Sequence, residues 1–157
     1  MTRLRGRCPK GRRLRFACPH GHWRTTTMLG AVRLDGTTAA MAIEGPTDTC
    51  VFQAYVRKVL LPLLRPGDIV VMDNLAPHKN EQALEWIAQA GVQVLFLPPY
   101  SPDLNPIEMM WCKIKALLRK AAARTHEELL SALSSALGKV AASDARGWFN
   151  ACGYSII

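Results

Sequence analysis

Two acidic side chains, Asp73 and Glu108, stand where metal-dependent chemistry would use them. Asp73 ends the apolar run at residues 69–72, which turn-forming residues bound on both sides and which is typical of a buried strand. Glu108 follows the proline-punctuated stretch 97–107 and falls in the first turn of a predicted helix. Carboxylates are the hard ligands that Mg²⁺ and Mn²⁺ prefer, and these ions serve phosphodiester chemistry.

The 34 residues between these two acids are enough for one helix and one further parallel strand. A helix that begins near residue 80 and ends at Gly91 fits the pattern, and residues 92–97 form a second apolar run. A strand–helix–strand unit of this length returns the chain to the same edge of the sheet. We therefore expect the two carboxylates to meet there.

Each acid also has a purely structural interpretation. Asp73 could be a turn aspartate that accepts a hydrogen bond from the amide of Leu75 or Ala76. Glu108 could close a capping box with Asn105 at the start of its helix. Capping does not require both acids to arrive at one sheet edge through a rigid linker, so the pair together favours a metal site.

The remaining elements predict an α/β domain. Strands at residues 25–34 and 37–43 are joined by Asp35–Gly36, the signal for a two-residue type I′ hairpin, and residues 14–18 would add a third antiparallel strand. Asp35 therefore has a structural role and is rejected as a catalytic acid. Helix signals follow at the cap residue Asp48, over 106–121, at the capping box formed by Thr125 and Glu128, and over 144–152.

The segments around the two acids resemble a known family. Residues 73–79, DNLAPHK, and residues 97–115, with the run PPYSPDLNPIE followed by Trp111 and Lys115, are similar to motifs of the DDE-type transposases of mariner-like bacterial insertion sequences. The proline-rich block is highly specific. The resemblance implies an RNase H-like fold, a mixed sheet flanked by helices, and metal-dependent DNA cleavage and strand transfer.

The same resemblance assigns roles to individual residues. Asp73 and Glu108 match the family's second and third catalytic acids, which bind Mg²⁺ or Mn²⁺, with two ions in the intact family site. Asn74, His78 and Asn105 could orient water or these ligands. Transposon ends and target DNA are the implied partners.

The family's first catalytic aspartate, on the opening strand of the fold, has no match in this sequence. The expectation is that residues 1–157 are one RNase H-like DDE catalytic domain, a fragment whose opening strand and N-terminal helix-turn-helix region are missing. Such a chain would be inactive alone, and an upstream fragment could supply the strand in trans. The alternative is a non-catalytic nucleic-acid-binding relic or regulatory module.

The charge of the chain favours a polyanionic partner. Twenty basic residues against twelve acidic ones give a formal charge of +8. Two basic groups could contact DNA phosphates or could be ordinary solvated charge: Arg3, Arg5, Arg7, Lys10, Arg12 and Arg13 in the N-terminal segment, and Lys113, Lys115 and Arg119 on the predicted helix over 106–121.

Composition indicates a folded protein of a reducing cytoplasm, and the family resemblance implies that this cytoplasm is bacterial. The sequence is 49% apolar, has no apolar run of about 18 residues and shows no signal peptide. Its five cysteines are odd in number and widely spaced, which argues against a disulfide framework. A zinc site from Cys8, Cys18, His20 and His22 has poor spacing, and ordinary packing is favoured. An unpaired sheet edge would promote self-association, so a homo-oligomer is expected.

Overall fold

A computed structural model describes residues 6–15 and 25–155 of the chain. The strands are β1 (Thr26–Val32), β2 (Thr38–Glu44), β3 (Ile69–Met72) and β4 (Gln93–Phe96). The helices are α1 (Thr49–Tyr55), α2 (Glu81–Gln89), α3 (Pro106–Ala121), α4 (His126–Leu137) and α5 (Ala142–Ala151). Helix α1 runs on through a π turn (Val56–Leu60) and a 3-10 turn (Leu61–Leu63). Among these helices, none has the length and apolar content needed to cross a bilayer.

The strands form two separate two-stranded sheets. β1 and β2 pair antiparallel, and β3 and β4 pair parallel with Val71 opposite Leu95. The α/β class and the parallel crossover are therefore as the sequence predicts, but the expected single mixed sheet is divided in two. Leu14 and Arg15 are exposed and lie outside any strand, and the rest of the predicted strand at 14–18 falls outside the described residues.

The hairpin turn differs from the two-residue type I′ turn that Asp35–Gly36 predicts. The Arg33 amide donates to the Thr37 carbonyl at 2.8 Å, which closes a loop of three residues. Gly36 takes a left-handed φ of 87° at its end, as a three-residue loop with a bulge requires. Asp35 Oδ1 accepts the Thr37 amide at 2.8 Å, so its structural role is confirmed.

The β1 strand packs on two different cores, one on each face. Leu29 belongs to a cluster with α1, α2 and β3, whereas Met28 packs on a cluster formed by α3 and α4. This division follows from the two-residue period of a strand. Gly30 lies against Trp111 of α3, where an added Cβ would stand only 2.7 Å from the indole Cζ2. A glycine is thus what lets α3 approach the hairpin.

Local capping signals match the helix starts. Asp48 accepts from the Val51 amide at 2.8 Å, and Thr125 forms the predicted capping box with Glu128. Helix α3 begins at Pro106 and ends at Ala121, the predicted bounds. Helix α5 begins at Ala142, two residues earlier than predicted, because the Asp144 carboxylate accepts the Ala141 amide and so stabilises an earlier first turn.

Candidate active site

Asp73 follows directly after the buried end of β3. Its Oδ1 accepts the Leu75 amide at 3.1 Å, so the turn contact that the sequence allowed is confirmed. The side chain is 43% exposed, whereas the preceding Met72 is buried in the core. The strand therefore fixes the backbone and leaves the carboxylate at the surface of the sheet edge.

His78 lies beside this carboxylate. It belongs to the 3-10 turn Ala76–Lys79, and its Nδ1 is 2.7 Å from Asp73 Oδ1. The pair lacks the alignment of a hydrogen bond, which leaves the buried Nδ1 without a hydrogen-bond partner, so the contact is electrostatic and attractive when the imidazole is protonated. The ring packs on Phe52 of α1 with centroids 4.7 Å apart. Helix α1 thus holds the imidazole next to Asp73.

Glu108 is the third residue of α3 and its side chain is exposed. Its amide donates to the Asn105 carbonyl at 3.1 Å, while the Asn105 side chain makes no capping bond to the helix. The capping box suggested as a structural alternative for Glu108 is therefore wrong. Buried Pro106 at the first helical position fixes the direction in which the helix starts.

The loop between β4 and α3 is fastened at both ends. At its start, the Asn74 side-chain amide donates to the Leu97 carbonyl. At its end, the Tyr154 hydroxyl donates to the Leu104 carbonyl at 2.9 Å. Asn74 therefore connects the two parallel strand ends beside Asp73. Tyr154 was not singled out from the sequence, because nothing local signals a contact to a residue 50 positions away.

One cavity of about 700 Å³ has four of the five predicted site residues in its lining. Asp73, His78, Asn105 and Glu108 line it, and Asn74 does not. Its walls include β1 and β3, and Trp111, Phe149 and Tyr154 cover part of it. The cavity thus separates the two sheets and carries both acids.

The donor set fits a hard divalent cation in kind but is incomplete in number. The carboxylates of Asp73 and Glu108 are oxygen ligands of the type that Mg²⁺ or Mn²⁺ takes. Within residues 6–15 and 25–155, however, no three His, Cys, Asp or Glu side chains converge on a point where they could hold a metal ion. Among the described residues, Asp73 and Glu108 are thus two oxygen donors in one cavity lining rather than a complete metal site.

The predicted DNA-contacting residues fall in different environments. Arg7, Lys10, Arg12 and Arg13 are all exposed in segment 6–15, whereas Arg3 and Arg5 lie outside the described residues. Lys115 and Arg119 are half-buried on α3. Of the zinc candidates, only Cys8 lies in the described part, where its thiol donates to the Arg12 carbonyl at 2.9 Å; Cys18, His20 and His22 lie outside it.

Lys113 makes an internal contact that the sequence did not predict. Its Nζ is 2.5 Å from Asp144 Oδ2 and donates to the Lys139 carbonyl at 2.8 Å. The hydrogen bond from Lys113, with a smaller contribution from the Ala141 amide, lowers the pKa of Asp144. The ammonium therefore connects α3 to α5.

Comparisons with known proteins show which family the chain resembles. The family model described as DDE superfamily endonuclease matches residues 1–130. Over 98 residues the chain is 28% identical to the transposable element Tcb1 transposase of Caenorhabditis briggsae, covering 60% of this chain and 36% of that protein. Over 68 residues it is 31% identical to the Tc1 transposase of Caenorhabditis elegans, covering 43% and 25%.

A third relative is human histone-lysine N-methyltransferase SETMAR, 41% identical over 54 residues, which cover 34% of this chain and 8% of that protein. The chain thus spans about a third or less of the length of these curated relatives. The similarity to DDE transposases inferred from the motifs is confirmed, while the assignment to bacterial insertion sequences stays a prediction.

Proposed function

Because this chain belongs to the DDE superfamily of endonucleases, we propose that it acts as part of the catalytic domain of a DNA transposase, in which RNase H-like strands carry metal-dependent phosphodiester transfer. The observation that supports this most directly is that Asp73 and Glu108 line one cavity, although one follows a strand and the other begins a helix. Capping and turn formation do not require both acids to line the same cavity.

In this proposal Asp73 and Glu108 hold the divalent ion, Mg²⁺ or Mn²⁺. The ions, when bound, would activate a water or a DNA 3′-hydroxyl and stabilise the leaving oxygen at phosphorus. His78, held against Phe52, and Asn105, at the start of α3, orient the two carboxylates and water from the cavity wall. Asn74 acts from outside the cavity by holding the ends of β3 and β4 together.

The incomplete ligand set leads us to propose that the chain does not cleave DNA alone. The third ligand would come on an extended segment that enters the cavity between β1 and β3. Within the described residues β1 pairs only with β2 and β3 only with β4, so each has an unpaired edge, and residues 27–34 and 68–73, which include most of these two strands, line the cavity. Such edges accept an added strand through backbone hydrogen bonds. An upstream fragment in trans is the proposed donor, with a second copy of the chain as the other candidate.

Reconstituted cleavage tests the catalytic assignment. We expect no nicking of a transposon-end duplex by the purified chain with Mn²⁺, and nicking when the polypeptide encoded immediately upstream is added. Asp73→Asn and Glu108→Gln should each abolish the restored activity, because each removes a metal-binding charge. Asp35→Asn is the matched control, since this aspartate lies in the hairpin turn outside the cavity lining, and it should retain activity.

Two results would contradict the proposal in different ways. Robust nicking by the chain alone that disappears in Asp73→Asn would show that no third ligand from outside is needed. The other result is DNA binding that substitution of Asp73 or Glu108 does not change, with no cleavage even after the upstream polypeptide is added. That result would support the non-catalytic nucleic-acid-binding module instead.

Salt dependence tests the DNA partner separately. Arg12 is exposed in the basic segment 6–15, so Arg12→Ala should reduce the slope of log K against log salt by about one unit if it neutralises a phosphate. Lys58, equally exposed on the π turn after α1, provides a cation of the same charge away from that segment. Lys58→Ala should leave the slope unchanged, and equal effects of the two substitutions would argue against a DNA-binding role of the segment.

A further inference from the structure

Tyr100 is an aromatic residue that the fold leaves entirely in solvent. Its relative accessibility is 102%, the highest among the exposed large hydrophobic residues of the described chain. Its φ is 57°, in the left-handed region, where a residue with a Cβ is disfavoured by about 1–2 kcal/mol. The other described non-glycine residue with positive φ, Ala122, ends helix α3, where this conformation is common. Tyr100 has no such helix end to explain it.

The loop that carries Tyr100 is held in place around it. Pro99 precedes Tyr100, Pro102 follows two residues later, and each fixes its own φ. The Ser101 hydroxyl donates to the Pro99 carbonyl at 3.3 Å, and the Leu104 amide donates to the Ser101 carbonyl at 3.2 Å. The exposed ring is therefore carried on a restrained backbone and gains no packing inside the chain in return for the strain.

The position of the loop relates this ring to the candidate active site. The loop begins where Asn74, next to Asp73, binds the Leu97 carbonyl, and it ends at Asn105, in the cavity wall beside Glu108. The loop thus connects the segments that deliver the two acids, and Tyr100 itself lies outside the cavity lining. Residues that the surrounding structure holds in a strained backbone conformation are concentrated at binding and catalytic sites.

We propose that Tyr100 is a stacking platform for an unpaired nucleobase of the DNA that enters the candidate active site. This inference rests on the proposed function and adds to it a contact with single-stranded substrate. A phenol ring is neutral and planar, so it suits the face of a base rather than a phosphate. The formal charge of +8 brings the polyanion to the surface, and a ring carried on a restrained backbone has less freedom to lose when a base stacks on it.

Binding of a single-stranded oligonucleotide, measured by fluorescence anisotropy, tests the proposal on the full chain. Tyr100→Gly removes the ring and also relieves the left-handed strain, so the variant should be at least as stable as the parent chain. We expect it to bind the single strand about 5- to 150-fold more weakly, the loss that corresponds to about 1–3 kcal/mol for one stacked base. Tyr100→Phe keeps the ring and should bind within about twofold of the parent chain.

Three further readouts test stacking against a charge contact. The salt slope of Tyr100→Gly should equal that of the parent chain, because no phosphate contact is lost. The effect should be much smaller on a fully paired duplex of the same length, whose bases are already stacked. An oligonucleotide that carries 5-iodouracil should photo-cross-link to Tyr100, with the attachment mapped by mass spectrometry.

The inference is overturned if Tyr100→Gly binds the single strand as tightly as the parent chain, or if the cross-link maps to another residue. It is also overturned if the substitution leaves DNA binding intact and instead abolishes self-association in sedimentation, since the ring would then cover a second copy. Failure of the parent chain to bind any DNA would overturn the proposed function together with this inference. Normal salt-dependent binding without a Tyr100 effect would overturn the inference alone.

Discussion

The Arg33–Asp68 ion pair joins the two sheets. Its removal tests how much this contact contributes to the stability of the fold around the cavity. Arg33 follows β1 and Asp68 precedes β3, and the guanidinium forms a two-pronged contact, with Nη1 2.5 Å from Oδ2 and Nη2 2.9 Å from Oδ1. Nη1 also donates to the Leu63 carbonyl at 3.2 Å. Both residues line the cavity, so the pair connects its opposite walls.

The expected contribution of this ion pair to the free energy of unfolding lies between that of an exposed pair and that of a buried pair. Exposed pairs contribute about 0–1 kcal/mol, and single hydrogen bonds to charged groups contribute about 1.5–3 kcal/mol. The Arg33 and Asp68 side chains are 26% and 22% exposed, so solvent screens the pair in part. We expect Arg33→Met to lower the free energy of unfolding by about 2 kcal/mol, and a double-mutant cycle with Asp68→Asn to give a coupling energy of about 1 kcal/mol.

Urea unfolding followed by tryptophan fluorescence measures these differences. Asp35 provides the control, because its carboxylate is 3.9 Å from Arg33 Nε and half exposed. Asp35→Asn should change the unfolding free energy by less than about 0.5 kcal/mol. If Arg33→Met is as stable as the parent chain at neutral pH, the inferred cross-link between the sheets is wrong.

The pH dependence of the same pair gives a second check. The hydrogen bond from Arg33 is the largest cause that lowers the pKa of Asp68, and the same bond raises the pKa of Arg33. A carboxyl group whose pKa is lowered on folding contributes stability above its unfolded pKa, about 3.9, and loses it as the pH falls through its folded pKa. The stability difference between the parent chain and Arg33→Met should therefore shrink below about pH 4. A difference that stays constant in acid would refute this explanation.

Three smaller predictions concern packing, each measured by the urea midpoint at constant m value. Gly30→Ala should destabilise by about 1–3 kcal/mol because its Cβ would meet Trp111 at 2.7 Å. Gly147→Ala, on the open side of α5 with no atom within 4 Å of the added Cβ, should instead stabilise by about 0.5–1 kcal/mol. Tyr55→Phe should cost about 1 kcal/mol, since its buried hydroxyl donates to the Ala39 carbonyl at 3.2 Å and Phe removes that bond.

Local signals in the sequence predicted the helix starts well because the atoms involved are within a few residues of each other. Pro106 fixes its own φ, and the capping box at Thr125 satisfies two amides of its own first turn. The hairpin turn was mispredicted because Asp35–Gly36 is compatible with both two- and three-residue loops. The pairing of Arg33 with Thr37 selects the longer one.

The arrangement of the site depends on contacts between residues that are distant in sequence. Local sequence patterns do not predict such contacts. An alternating or apolar run indicates a strand but not its neighbour, so one mixed sheet was predicted where β1 and β3 stand apart. His78 was identified as a candidate, yet its position depends on Phe52 in a helix 26 residues earlier. Such contacts become visible only when the elements are packed.

The separation of the two sheets has a consequence for how the proposed site could be completed. The parallel pair packs on α1 and α2 in a cluster that Leu29 of β1 shares, while the other face of the hairpin lies against α3 at Gly30. An added strand that pairs with β1 and β3 would have to leave the cluster shared by Leu29 and Met72 intact. Each backbone hydrogen bond contributes only about 0.5–1.5 kcal/mol net, while ordering each residue costs about 1–2 kcal/mol. Because the hydrogen bonds alone do not offset this cost, binding of the strand would depend on burial of its apolar side chains in the cavity. The third ligand would then reach the site only when these side chains are buried.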